Sequence, residues 1–400
     1  MRILRLLGAI RESVRRSQRA WAKLWPIFVA NRRAALAEPG PDRVPLQPWR
    51  TEPTPSDEIV ARIGAPPLRP SVSPVAYDRN GAVNTPWPFE KGVPASDLLI
   101  RRATQVTLIP GGLLLNRAGE LLRLNFEDHR ITDHAMARLP LLRGYIYRKP
   151  LSGRIAQEIQ APVFIVDCYW AGNFGHLLLE IIPSLLLRDR VPKGALVLTS
   201  APLQRGARAM FEQLGVAPDR VRRIETPVRC AEAYTCQPLM RLSGGSHPLI
   251  EEAFERLRGL AAKATHPLSD RIFLSRARIP KRRLAEEPAV EELFRRYGFV
   301  IIHPEQLGIE DQIALVCNAK MIAGLGGSAM HLCAMAPPET PVLIVQTTHM
   351  ARHVDMSIAT PARRLGYVFG KSVDPAQKIT GPWTVDIADV EAGIKAHFGL

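Results

Sequence analysis

His176 and Glu180 lie four residues apart in Asp167-Cys-Tyr-Trp-Ala-Gly-Asn-Phe-Gly-His-Leu-Leu-Leu-Glu-Ile-Ile-Pro-Ser184. The stretch reads as a strand end, a glycine-containing loop and then a helix, a spacing that puts both side chains on one helix face. The positive end of the helix dipole favours a neutral imidazole at His176, the form a general base needs. Glu180 either orients that imidazole or is itself the base. Taken singly, each residue also fits a quieter role, as a capping histidine and a glutamate bonded to nearby backbone.

Three further stretches suit a phosphate or a sugar. In Arg271-Ile-Phe-Leu-Ser-Arg-Ala-Arg-Ile-Pro-Lys-Arg-Arg283, a strand ends in Ser275-Arg276 and a basic loop carries Arg282 and Arg283. Guanidinium forks pair phosphate oxygens bidentately, so this loop is a candidate diphosphate cradle, or otherwise a solvated basic loop. Next, a strand stops at His303-Pro304 and Glu305 follows. That carboxylate either accepts from a ribose or sugar diol or is a charge near the start of the next helix. Last, Met321-Ile-Ala-Gly-Leu-Gly-Gly-Ser-Ala-Met-His331 reads as strand, glycine turn and helix, in which Gly324, Gly326 and Gly327 either let backbone amides approach a phosphate at the helix N-terminus or only solve a tight strand-to-helix connection. The stretch lacks the closing glycine of GxSxG, which argues against a serine hydrolase.

The elements that must position these residues follow from periodicity. Strands are expected at Val163–Cys168, Ala195–Thr199, Val221–Ile224 and Tyr234–Cys236, with helices at Gly175–Arg188 and Arg205–Leu214. A long helix at about 249–264 opens a second alternation. Its strands are Arg271–Leu274, Phe299–Ile302, Met321–Ala323 and Val342–Val345, and its helices lie near Val290–Tyr297, Ile309–Asn318 and Ser328–Met335. The fold class expected is α/β, two Rossmann-like domains in series. The first domain is expected over 97–247 and the second over 248–400. Ligands in such sheets sit beyond the carboxyl ends of the strands, where the chemical stretches fall.

Ahead of these units, residues 1–37 read as a basic amphipathic helix. Ile3, Leu6, Leu7, Ile10, Val14, Trp21, Leu24, Trp25 and Phe28 share one face, with Arg2, Arg5, Arg15, Arg16, Arg19 and Lys23 off it. Such a helix suits an anionic membrane surface or a protein interface. Residues 38–96 carry so many prolines that a linker or extended arm is expected.

A formal net charge of +15 calls for an anionic partner, but no zinc-finger, RNP or recognition-helix pattern accompanies it, so nucleic acid is not expected. Five cysteines with no CxxC pair fit a reducing compartment. No stretch reaches the roughly 18 apolar residues of a membrane span, and arginines interrupt any signal-peptide pattern. The expected location is cytoplasmic, with a peripheral seat on the inner face of the membrane.

Gly172-Asn-Phe-Gly-His-Leu-Leu-Leu-Glu-Ile-Ile-Pro183, Ile272-Phe-Leu-Ser-Arg276 with Arg282-Arg283, Tyr297-Gly-Phe299 with His303-Pro-Glu305, and Gly324-Leu-Gly-Gly-Ser-Ala-Met-His331 before Ala336-Pro-Pro338 together resemble the family-61 glycosyltransferases of bacterial capsular and surface polysaccharide biosynthesis. The resemblance covers roughly 160–350. It implies an inverting transfer from a nucleotide-sugar donor to a glycan or lipid-linked acceptor on a GT-B-like scaffold. His176 or Glu180 would be the base, with Ser275, Arg276, Arg282, Arg283, Glu305, Gly326, Gly327 and Ser328 at the donor. Many members have His-Gly where this chain has Gly326-Gly327, so a role resting on that histidine is not carried over and His331 is a partial substitute. That departure motivates an alternative, a catalytically inactive membrane-associated scaffold that binds nucleotide sugars. No Asp-x-Asp motif is present, so no metal cofactor is expected and the basic loop neutralises the leaving group.

Overall fold

The structure is a computed structural model and describes residues 58–66, 68–69, 73–83, 92–95, 97–117, 121–122, 157–168, 170–203, 206–241, 245–350, 363–374 and 381–400. The amphipathic helix expected over 1–37 lies outside the described residues. Among those described, no helix is long and apolar enough to cross a membrane. The molecule is mixed α/β, built on two large sheets.

The proline-rich stretch supplies strands to both sheets. β1 (Glu58–Ile63) runs antiparallel to the start of β4 (Leu98–Ile109) in the first sheet. Between them β2 (Val75–Asp78) crosses to the second sheet, and β3 (Gly81–Val83) turns back beside it as the edge strand. None of the three strands contains a proline, so each keeps the amide donors that pairing needs.

The rest of the first sheet comprises β5 (Leu113–Leu115), β6 (Leu121–Leu122), β7 (Gln157–Ile159), β8 (Val163–Ile165), β9 (Leu196–Thr199), β10 (Val221–Arg223) and β11 (Val228–Cys236). Its spatial order is β10-β9-β8-β11-β4-β5-β6, parallel from β10 to β11 and antiparallel from β11 onward. The chain steps outward from β8 to β9 and β10, then returns to place β11 on the other side of β8. The carboxyl ends of β8 and β11 therefore flank a topological switch point.

The second sheet comprises β12 (Arg271–Leu274), β13 (Val300–Ile302), β14 (Met321–Leu325), β15 (Val342–Thr347) and β16 (Leu365–Ser372), joined by β2 and β3, with β17 (Trp383–Thr384) antiparallel to β16. The order β13-β12-β14-β15-β16-β2 is parallel throughout, and its switch point lies between β12 and β14. Alternation along the strands covers both faces. Ile272, Leu274, Ile322, Val342 and Ile344 join a core cluster that also holds Phe164, Val166 and Val197 of the first sheet, while Phe273, Ala323, Leu325, Leu343 and Val345 pack on the far side with Phe294 and Phe299.

The shared cluster is the main apolar bond between the two sheets. Helix α1 (Phe174–His176) opens a helical run that ends at Arg190 and includes α2 (Ile182–Ser184). The other α-helices among the described residues are α3 (Ala207–Gln213), α4 (Leu249–Arg258), α5 (Glu287–Arg296), α6 (Ile309–Asn318) and α7 (Ile387–Phe398). Ile250, Phe254 and Leu257 of α4 lie in the same cluster as Met210 and Phe211 of α3 and Ile313 and Val316 of α6. At Gly206, φ is 76° and a Cβ would fall inside the side chain of Ile309, so only glycine lets α3 and α6 meet this closely.

Candidate functional site

The turn after β8 is fixed before it reaches any functional group. Asp167 accepts from the Ser200 hydroxyl at 2.8 Å, the Cys168 amide at 3.0 Å and the Gly111 amide at 3.1 Å. Burial nevertheless outweighs these bonds and pushes the Asp167 carboxyl up to about 6. Asn173 then caps the helical run, its Oδ1 accepting from the Gly175 amide at 2.8 Å.

The run is not a plain α-helix. Residues Leu177–Ile181 form a π-helical turn, with the Ile182 amide reaching back to the Leu177 carbonyl. The reason lies one residue on. Pro183 has no amide to give to the Leu179 carbonyl, and its ring would crowd that carbonyl, so the turn widens. Ser184 Oγ donates to the Glu180 carbonyl at 2.8 Å, so that carbonyl is also satisfied.

On this widened turn His176 Nδ1 and Glu180 Oε1 are in direct hydrogen-bond contact. Glu180 is 4% exposed and His176 19%, so the carboxylate is enclosed and the imidazole still reaches the surface. The Trp170 ring stacks on His176 with centroids 5.1 Å apart and planes 27° apart. Cys168 completes the group. Burial, followed by the charges of Glu180 and Asp167, pushes its thiol well up. The Sγ, ring nitrogen and carboxylate of Cys168, His176 and Glu180 lie within 4.8 Å of one another, the one trio among the described residues with the spacing to hold a metal ion.

At the other switch point, Ser275 behaves differently from the sequence expectation. Its hydroxyl is taken up by the buried Glu291 at 2.6 Å and faces Glu287 at 3.3 Å, so it points into the protein. Glu287 also accepts from the Arg276 amide at 2.8 Å, which fixes the strand end. Ser275 therefore shapes the loop on which Arg276 stands. The Arg276 guanidinium lies against the glycine turn. Gly327 has φ 168°, extended backbone open to any residue, but its Cβ would fall inside that guanidinium. A Cβ on Gly326 would likewise fall inside the carboxamide of the buried Gln346. Burial lowers the Arg276 pKa, against the charges of Glu287 and Glu305, and Glu305 itself is exposed.

The remaining arginines diverge. Arg282 adopts left-handed backbone, φ 57°, a conformation that costs a non-glycine residue about 1–2 kcal/mol. It turns the Arg282 and Arg283 carbonyls to the indole and backbone N–H groups of Trp383, at 3.1 and 3.0 Å. Arg282 Nη1 points to Met350 Sδ at 3.2 Å, and the Arg283 side chain is exposed. Arg283 is thus not among the groups gathered at the turn.

Residues Ser328–Met335 form a 3-10 helix, tighter than the expected α-helix, and it joins the two switch points. Ser328 Oγ donates to Asn173 Oδ1 at 2.8 Å. A Cβ on Gly175 would stand 2.7 Å from His331 Nδ1 and 3.0 Å from Ser328 Oγ, so glycine is required there by close approach. His331 Nδ1 is sealed and has no partner among the described residues. Burial first, then the charges of His176 and Arg282, push the His331 pKa down to about 3. The structure therefore brings His176, Glu180, Arg276, Gly326, Gly327 and Ser328 to one junction, with Arg282 close enough for its charge to act on His331.

Trp170, Asn173 and Cys168 also belong to the junction. The sequence signal for Asn173 is its position before a helical pattern, where an asparagine caps. For Trp170 and Cys168 there is no such local signal.

Residues 174–343 match the model of the family described as glycosyltransferase 61. That span contains every site residue expected from the sequence. No curated protein matches the chain.

Proposed function

We propose that this glycosyltransferase moves a sugar, with inversion, from a nucleotide-sugar donor on the second sheet to a hydroxyl of a glycan or lipid-linked acceptor beside the first. The observation that carries the reading is the close approach of Gly175 to His331 and Ser328, which sets a His–Glu pair beside a glycine turn backed by an arginine. A base and a diphosphate cradle are the two parts that direct displacement needs.

His176 is the base and Glu180 its orienting partner. With Nδ1 held by the enclosed carboxylate, Nε2 is the ring nitrogen left to accept a proton. It takes the proton of the acceptor hydroxyl as that oxygen bonds to the anomeric carbon, and Glu180 stabilises the imidazolium formed. The bond from the anomeric carbon to the phosphate oxygen breaks, and its electron pair leaves with the nucleoside diphosphate. Arg276 and the amides after Gly326 balance that charge, with Arg282 nearby.

A GT-B-like pair of Rossmann domains, with donor and acceptor on opposite sheets, is the architecture this reading favours, supported by a switch point in each sheet. Surface-polysaccharide assembly at the inner membrane face is the role in keeping with the family-61 resemblance and the basic residues of 1–36.

The test is release of nucleoside diphosphate from uridine- and guanosine-diphosphate sugars in the presence of glycan acceptors. Wild-type protein should turn over one of them and His176→Ala should lose about 10²–10⁴ in rate while still binding the nucleoside diphosphate. Equal turnover by the variant would remove His176 from the mechanism.

A further inference from the structure

A hydroxyl has one proton to donate, and the Ser328 hydroxyl has two claimants. In the structure it donates to Asn173 Oδ1 at 2.8 Å, and the same oxygen caps the helical run by accepting from the Gly175 amide at 2.8 Å. Ser328 is also the first residue of the 3-10 helix after Gly327, and no side chain caps that helix start. A diphosphate resting on Gly327 and Arg276 would reach this hydroxyl as well as the amides around it.

The two claimants lie on opposite sides of the junction. Asn173 starts the run that carries His176 and Glu180, whereas Ser328 belongs to the glycine turn. Gly175 and His331 meet without room for a side chain between them, so displacement of the 3-10 helix start is felt at the His176 turn.

We propose that Asn173 and the donor diphosphate compete for the Ser328 hydroxyl, so that donor binding releases the asparagine and links occupancy of the donor site to the seating of the catalytic histidine. The inference rests on the donor-site reading above. Asn173 acts as a positioning residue, and Ser328 is the switch between the two partners. Linkage is reciprocal: by as much as the diphosphate weakens the Asn173 contact, that contact weakens diphosphate binding, so removing it must tighten the diphosphate.

A double-mutant cycle tests it, with uridine and guanosine diphosphate as probes and calorimetry as the readout. Asn173→Gly removes the acceptor but remains a tolerated helix cap, and Asn173→Ser keeps a cap oxygen too short to meet Ser328. Each should tighten the nucleoside diphosphate about two- to tenfold, the range of one neutral hydrogen bond. Ser328→Ala should weaken it, and in that background the Asn173 substitutions should have no effect. A folded Asn173 variant with unchanged affinity overturns the proposal, as does an equal Asn173 effect in both backgrounds. If wild-type protein binds neither diphosphate, the donor-site reading fails and this linkage with it. Binding by wild type with no coupling defeats the linkage alone.

Discussion

The guanidinium of Arg276 occupies the space that a Cβ on Gly327 would need, so the cation and the glycine turn form one surface. Strand order explains how they meet, because Arg276 follows β12 and Gly327 follows β14, neighbours on either side of the switch point.

Gly327→Ala should therefore push Arg276 aside without unfolding the chain, since φ 168° suits alanine. Overpacking of this kind costs about 1–3 kcal/mol, here expressed mainly as weaker nucleoside diphosphate binding. Calorimetry of the variant beside its thermal unfolding curve checks this. A large drop in melting temperature with unchanged affinity would make the glycine purely structural.

The assignment of roles within the His176–Glu180 pair predicts unequal variants. Glu180→Gln keeps a hydrogen-bonding group on the buried face but loses the charge, so it should lower kcat less than His176→Ala and leave the donor KM unchanged. The pH profile of kcat separates the alternatives. If His176→Ala retained turnover while Glu180→Gln had none, the carboxylate would be the base.

Acid stability should depend on His397. It packs beneath the arm strand β2, where Tyr77 Oη meets His397 Nδ1 at 3.2 Å and the rings cross edge-on. Burial, then the charge of Arg364, push the His397 pKa down to about 4. An unfolded histidine titrates near 6.5, so its contribution is intact above that pH and declines as pH falls towards about 4. His331 acts in the same direction, and Asp167, pushed up to about 6, in the opposite one. His397→Gln should make the stability slope between pH 6.5 and 4 shallower by about 1.4 kcal/mol per pH unit, read from urea unfolding. An unchanged slope would contradict the burial argument.

Deletion of residues 1–36 should abolish co-sedimentation with anionic vesicles and leave nucleoside diphosphate binding intact, because the candidate site is built from residues 168–331, far along the chain from the basic apolar-faced segment. Replacing Trp21 and Trp25 by serine should weaken vesicle binding at low salt too, since salt does not screen burial. If full-length protein ignores such vesicles, the segment has a different partner.

Local signals made much of the second sheet legible. Arg271–Leu274 and Ile309–Asn318 read directly from apolar periodicity, and the glycine turn after β14 from its composition. β16 was obscured by Gly366 and Gly370, which are small because His397 and Trp383 lie against them, a reason only the assembled fold supplies. Ends of helix α7 carry plain signals, a capping bond from the Ala388 amide to Asp386 and Gly399 at φ 71°. In the first sheet, the pairing of β1 with β4 and the departure of β2 to the other sheet are long-range choices that no window of sequence contains. At the site, the spacing of His176 and Glu180 was legible, whereas the inward turn of Ser275 depends on two carboxylates from α5. The bond from Ser328 to Asn173 spans 155 residues, beyond any local reading.

In the proposed reaction the Arg276–Gly327 corner holds the diphosphate of the donor. Calorimetric titration of uridine and guanosine diphosphate into wild-type and Arg276→Ala protein tests it most directly. Binding should be saturable, and the substitution should weaken it by roughly 1.5–3 kcal/mol, the range of a charge-assisted hydrogen bond. Equal affinity in a folded Arg276→Ala protein would contradict it.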